Sequence, residues 1–194
     1  MGSGVRVFSS QGGVDMKKLL IILLLASGAQ AQERITPPSK YEKFLSDRGS
    51  MITKDYYNLP TLKGKYSSPD VQVVVLTSSA GKGYFYRIRM KTKYSDKTAV
   101  ISRDDLTEVQ RALTGIRSSA KADADAGIEY RERYFVTDDG FKVGYVQNGK
   151  EQTFFAELDD YQSDDTLFFH DPSAIADSIN LGIAKIEELV ASGK

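Results

Sequence analysis

The chain has 194 residues, 26 basic and 26 acidic side chains, one histidine and no cysteine, with a formal net charge of zero. Without cysteine there are no disulfides, no thiolate nucleophile or metal site and no acylated lipoprotein anchor, and one histidine cannot build a histidine-rich zinc centre. The even balance also lacks the uniformly basic footprint of a nucleic-acid binder.

The first organised stretch is "MKKLLIILLLASGAQAQ", Met16 to Gln32. Lys17 and Lys18 form a positive start, Leu19 to Ala26 an apolar run, and Ala29-Gln30-Ala31 a small-x-small triplet. That order is what a signal peptidase reads. The run is shorter than the roughly 20 apolar residues needed to span a bilayer. Cleavage after Ala31 is therefore expected, with Met16 as initiator and residues 1–15 an extension without structural meaning. The product is expected to be periplasmic or secreted, meeting the membrane only transiently through its signal peptide.

"ERITPPSK" reads as a linker because its two prolines block regular structure. "KYEKFLSDRG" predicts one or two helical turns ending at Gly49. "VQVVVLTSS" is β-branched and extended, "AGKG" turns, "YFYRIRMKTKY" alternates, and "KTAVIS" follows a Ser95-Asp96 turn. "RDDLTEVQRALTGI" then changes period: Leu106, Val109, Leu113 and Ile116 recur at three and four, with Ser102 as the cap. "RSSAKADADAG" carries no large side chain and reads as a linker or a frayed helix end. Three alternating runs follow, "IEYRERYFV", "FKVGYVQ" and "EQTFFAEL". Asn148-Gly149 between the last two is a hairpin signal. After "DDYQSDD" come a short strand, "TLFFH", and a helix from Pro172 with Ile175, Ile179, Ile183, Ile186 and Val190 as its apolar stripe.

Strands then a helix thus occur twice. The prediction is an α+β fold of two ββββα-like halves, each an antiparallel sheet covered by one helix. Residues 32–49 are a linker with a short helix, and residues 50–194 form one compact domain of two repeats, about 50–117 and 128–194. Charge divides along the same line: Ser50 to Arg117 holds 12 basic and 6 acidic residues, and Ile128 to Lys194 holds 6 and 14. Polarised surfaces follow.

The stretch "YRERYFVTDDGFKVGYVQNGKEQTFFAEL" with "TLFFHDPSAIADSINLGIAKIEEL" resembles an uncharacterised family of small exported proteins of Bacteroidetes-type bacteria, over the chain from Lys54 onward. The doubled ββββα order also resembles the topology of PUR and Whirly domains. That second resemblance implies single-stranded nucleic-acid binding, although topology does not fix function.

The sharpest candidate site is "GYFYRIRMKTKY". On a strand Arg87, Arg89, Lys91 and Lys93 share a face, with Tyr84, Tyr86, Ile88, Met90 and Tyr94 opposite. Four cations in a row suit an anionic ligand, and Phe85 on their side is placed to stack on a base or sugar. A half-buried sheet requires the same alternation merely for its wet face. The cluster Glu157, Asp159, Asp160, Asp164 and Asp165 lacks the spacing of a calcium loop and reads as a solvated turn. It could also pair with the basic strand, within one molecule or between two. "SSAGKG" lacks the order of a phosphate loop and reads as a hairpin turn. His170 beside Asp171 offers a catalytic pair only if a nucleophile lies within reach, and "HDPS" serves more simply to begin a helix.

The expectation is a non-catalytic, exported binding or structural protein with no cofactor or metal. Its partner would be an anionic envelope component or another exported protein, with a homodimer as a further arrangement, and not a nucleic acid. The competing readings are a single-stranded nucleic-acid binder and a hydrolase centred on His170.

Overall fold

The computed structural model describes residues 37–91, 93, 96–158 and 165–194. The expected signal peptide and its expected cleavage site lie outside the described residues, as do Tyr94, Asp159, Asp160 and Asp164. Pro38–Lys194 forms one compact unit.

The fold is α+β, with two four-stranded antiparallel sheets and three helices among the described residues. Helix α1 (Lys40–Leu45) precedes the first sheet, β1 (Thr53–Leu59), β2 (Asp70–Ser78), β3 (Gly81–Lys91) and β4 (Asp96–Ser102), which leads into α2 (Arg103–Ala124). The second sheet is β5 (Tyr130–Val136), β6 (Lys142–Asn148), β7 (Glu151–Glu157) and β8 (Thr166–Phe169), followed by α3 (Ser173–Ala191). Strands neighbour one another in sequence order in both sheets, with tight turns between β2 and β3 and between β6 and β7 and a longer connection, residues 60–69, between β1 and β2. At the β6–β7 turn Gly149 takes φ +57°, which a side-chain-bearing residue adopts only with strain.

Each half's helix reaches across to the other half's sheet. Helix α2 touches β3 and β4 of its own sheet and crosses β5, β6 and β7, while α3 departs from β8 and crosses β2 and β3. The contacts are close. Gly182 of α3 rests on the Tyr86 ring, where an added Cβ would stand 2.4 Å from the ring edge. The Tyr86 hydroxyl and Ser178 Oγ hydrogen-bond at 2.6 Å. Gln152 Nε2 of β7 donates to the Ala120 carbonyl of α2 at 2.7 Å. One apolar core results, with Val73, Tyr86 and Ile101 from the first sheet, Val143, Tyr145 and Leu167 from the second, and both helices. Each large side chain fully buried there contributes about 1.5–3 kcal/mol of hydrophobic stabilisation.

Two helical expectations change. The stretch read as a linker or a frayed helix end, "RSSAKADADAG", is regular helix through Ala124 and buries Ala120 and Asp123. Alanine and lysine favour helix, and the next buried positions of the period fall on small and acidic residues. On α3 the buried stripe is Ile175, Ser178, Ile179, Gly182, Ile186 and Leu189, while Val190 is exposed. The expected path steps by four, four, three and four residues, a net drift of about 60° around a 3.6-residue helix. The buried face instead turns toward Ser178 and Gly182, where Tyr86 sits.

The short predicted helix forms as α1, held by a reciprocal cap between Ser39 and Glu42. It packs on the outer face of the first sheet, where Tyr41, Phe44 and Leu45 cover Val74, Leu76 and Phe85. Lys40 Nζ fastens it to the buried Asp105 at 2.7 Å, beside the Ser102 cap of α2.

Candidate functional site

On β3, alternation does place Tyr86 and Ile88 inward and Arg87 and Arg89 outward. The expected stacking residue is a different matter. Phe85 is 4% exposed, with the Tyr41 ring edge-on at 5.2 Å, so it belongs to the small core beneath α1. It cannot stack on a base or sugar while α1 is in place. Nothing in the strand's own alternation distinguishes a wet position from one covered by a helix forty residues earlier.

The cations differ from one another. Arg89 Nε donates to Asp96 Oδ2 at 3.0 Å, and its second donor reaches the same oxygen. Lys91 Nζ lies 2.8 Å from Asp70 Oδ2, and this bond holds the Asp70 carboxyl below the ordinary range. Both pairs arise from register, since Asp96 is opposite Lys91 across β3–β4 and Asp70 is opposite Arg89 across β2–β3. Lys93 lies beyond the end of β3 and is exposed.

Arg87 has no carboxylate within ion-pair distance among the described residues. Its guanidinium donates to Gln72 Oε1 at 3.0 Å, and Gln72 Nε2 in turn donates to Asn58 Oδ1 at 2.8 Å. Asn58, Gln72 and Arg87 occupy one register row across β1, β2 and β3. The guanidinium carbon also lies 5.7 Å from the centre of the half-exposed Tyr56 ring. The result is an oriented cation with an aromatic face and two amides beside it. Such a set can accept a carboxylate or phosphate by a charge-assisted bond while its neighbours take up hydroxyls.

His170 is exposed in a shallow depression with Lys63, Gly64 and Lys65. Asp171 is turned elsewhere: Oδ1 accepts from the Ser173 amide at 2.6 Å and lies 3.6 Å from Arg117. Its carboxyl is held low by those Ser173 bonds. Of the acidic cluster, Glu157 pairs with Lys142 at 2.8 Å and Asp165 is buried. Among the described residues no three His, Asp or Glu side chains gather as a metal site.

Two constellations escaped the sequence reading. The first is Asp123, whose carboxylate accepts from Arg131 at 2.5 Å, from Arg133 Nε at 2.8 Å and from the Tyr145 hydroxyl at 2.5 Å. These bonds, with Arg133 foremost, hold the Asp123 carboxyl well below the usual carboxylate range. The Tyr145 phenol is pushed up to about 12, first by burial and then by Asp123. The arrangement locks α2 to β5 and β6. Its only sequence signal is an acidic residue one helical period beyond Ala120, ahead of two arginines at alternate strand positions.

The second constellation is a row across the outer face of the second sheet. Tyr134, Gly144, Phe155 and Phe168 stand in register on β5, β6, β7 and β8. Phe155 is buried, whereas Tyr134 is 53% and Phe168 38% exposed. Tyr66 meets Phe168 edge-on at 6.3 Å. A Cβ at Gly144 would come 2.1 Å from the Arg133 carbonyl oxygen and 2.7 Å from Tyr134 Cβ, so only glycine fits in the row.

No family model and no curated protein matches this chain. A solved chain described in connection with mutations in SsgB that correlate to longitudinal cell division during sporulation of Streptomyces coelicolor is similar at 14% identity. The match covers 71% of this chain and 90% of that one, with a TM-score of 0.26, too low to carry an argument about fold or function.

Proposed function

We propose that this protein is a non-catalytic, exported binding module whose working surface is the outer face of the first sheet around Arg87. The observation behind the reading is the guanidinium itself, oriented by Gln72 and Tyr56 and without a carboxylate partner among the described residues. Arg89 and Lys91 frame it but are already paired. The ligand class is an anionic envelope component, such as a uronic-acid-containing glycan, with the charge on Arg87 and hydroxyls on Asn58 and Gln72. Export rests on the charge, apolar run and small triplet from Lys17 to Ala31.

Titration calorimetry with a polyuronate oligosaccharide, against a neutral glucan and a single-stranded oligonucleotide, tests the proposal. Wild type is expected to prefer the polyuronate. Arg87→Glu is expected to weaken binding by about tenfold or more, the scale of one charge-assisted hydrogen bond. Binding that ignores Arg87→Glu overturns the assignment of this surface. Tighter, steeply salt-dependent binding of the oligonucleotide would replace the ligand class.

A further inference from the structure

We propose that the groove between α2 and α3 binds a short peptide by both of its free termini. Two cross-helix bonds bound this groove. Gln110 Nε2 donates to Asn180 Oδ1 at 2.7 Å, and the Arg117 guanidinium donates to Ser173 Oγ. The step from 110 to 117 on α2 answers that from 180 to 173 on α3, so the helices run antiparallel. At the helical rise the two bonds lie about 10 Å apart. Between them the facing side chains are small, Thr114 on α2 and Ala176 on α3. The space left open is about 490 Å³, within the roughly 300–1,000 Å³ of small-ligand sites.

Burial separates floor from rim. Leu113 and Pro172 are buried at the bottom beside the half-buried Ala176, whereas Arg111 and Asp177 are exposed, one on each helix. These opposite charges line the same groove without closing an ion pair, and neither has another ion-pair partner among the described residues.

Donors and acceptors are sorted along the groove. At the Gln110 end stand the Arg111 guanidinium and Asn180, whose oxygen is taken by Gln110 and whose side-chain N–H groups are left to donate. Roughly 4–5 Å further along the axis, the Thr114 hydroxyl donates to the Gln110 carbonyl at 3.4 Å, so toward the groove it can only accept. Asp177 lies at this level by the same antiparallel count and adds its carboxylate. Donors at one level and acceptors at the next match the carboxylate and the ammonium of a dipeptide. Gln110 Oε1 is placed to accept from the peptide N–H, and the apolar floor lies beneath the ligand's side chains. A simple anion would satisfy Arg111 but meet Asp177, and a polyanion calls for rims of one sign. Because both charged groups are exposed, a dissociation constant of about 0.1–1 mM is expected.

Amide proton–nitrogen correlation NMR on the full chain, titrated with alanyl-leucine to about 10 mM, tests this. Saturable shifts are expected at the amides of Thr114, Asp177 and Asn180. N-acetyl-alanyl-leucine and alanyl-leucine amide each lack one terminal charge. Each is expected to bind about tenfold more weakly, the scale of one charge-assisted hydrogen bond. Arg111→Gln should erase the discrimination against the amide, and Asp177→Asn that against the acetylated peptide, with circular dichroism confirming that both variants fold. Arg87→Glu should change nothing, which separates this site from the surface of the first sheet. The absence of saturable shifts in the groove overturns the proposal. So does equal binding of the blocked peptides, or binding that neither groove variant alters.

Discussion

Asp123 shows how much one side chain can organise. It is 5% exposed at the end of α2, and two arginines and a tyrosine converge on its carboxylate. Removing the carboxylate leaves the Tyr145 hydroxyl and two partly exposed arginines without the acceptor they share. Asp123→Asn is therefore expected to lower the melting temperature by more than Asp96→Asn, which opens only the surface pair with Arg89. The pH dependence follows from the same bonds. Because the folded carboxyl titrates below its unfolded value of about 3.9, its stabilisation is present above that pH and is lost as pH falls further. At the alkaline end, the Tyr145 phenol is raised to about 12, so its contribution is present below about 10 and disappears as pH climbs through the folded value. Denaturant titrations at pH 6, 3 and 2.5 (roughly bracketing that window) should show wild type losing stability faster than Asp123→Asn. Parallel losses in the two proteins would remove the assignment. Asp123 was illegible beforehand because a run of alanines, serines and short acids looks like linker until a sheet supplies its partners.

Among the elements, α3 is the one whose placement depends on a missing side chain. Gly182 lets the helix descend onto the Tyr86 ring, and the bond to Ser178 fixes that ring from one turn away. Gly182→Ala should gain helix propensity, since alanine exceeds glycine by about 1 kcal/mol in a helix interior. The packing term opposes it, because overfilling a tight contact costs typically 1–3 kcal/mol. A net loss of stability is expected, and Tyr86→Leu in the same chain should recover part of it as a positive coupling. Chemical denaturation of the two single variants and the double variant checks this. Additive losses would mean that the helix shifts elsewhere. Here the isoleucine stripe was read correctly at Ile175, Ile179 and Ile186, but Leu189 rather than Val190 is buried, and the small residues Ser178 and Gly182 that touch the sheet look like surface. By contrast, Ser102 was expected to cap α2, and it does, its side chain accepting from the Asp105 amide. Caps are local chemistry, complete within four residues.

For the molecule as a whole, the exchange of helices makes the two halves interdependent. The first sheet is covered on its inner face by α3 as well as by α2, and the second sheet chiefly by α2. The core is one cluster drawn from both sheets and both helices. Unfolding of the described unit is therefore expected as a single transition, with equal calorimetric and van't Hoff enthalpies. Residues 50–124 expressed alone should remain unfolded, because their sheet would lack α3. Two resolved calorimetric transitions, or a folded fragment, would contradict this.

Alternation at period two, recurrence at three and four, glycine-bearing turns and serine caps are encoded within a few residues. They determined every described strand but β1 (Thr53–Leu59), the presence of the helices and the doubled α+β plan. The basic row was legible for the same reason. Which of its members is bound, buried or available depends on strands and helices distant in sequence. Register brings Asp96 and Asp70 to Arg89 and Lys91, α1 covers Phe85, and Gln72 and Tyr56 hold Arg87. The helix exchange, the Asp123 cluster and the aromatic row on the second sheet were likewise decided only by tertiary packing. A linear pattern states which face a side chain takes, while the neighbour on that face is set by how distant segments share one core.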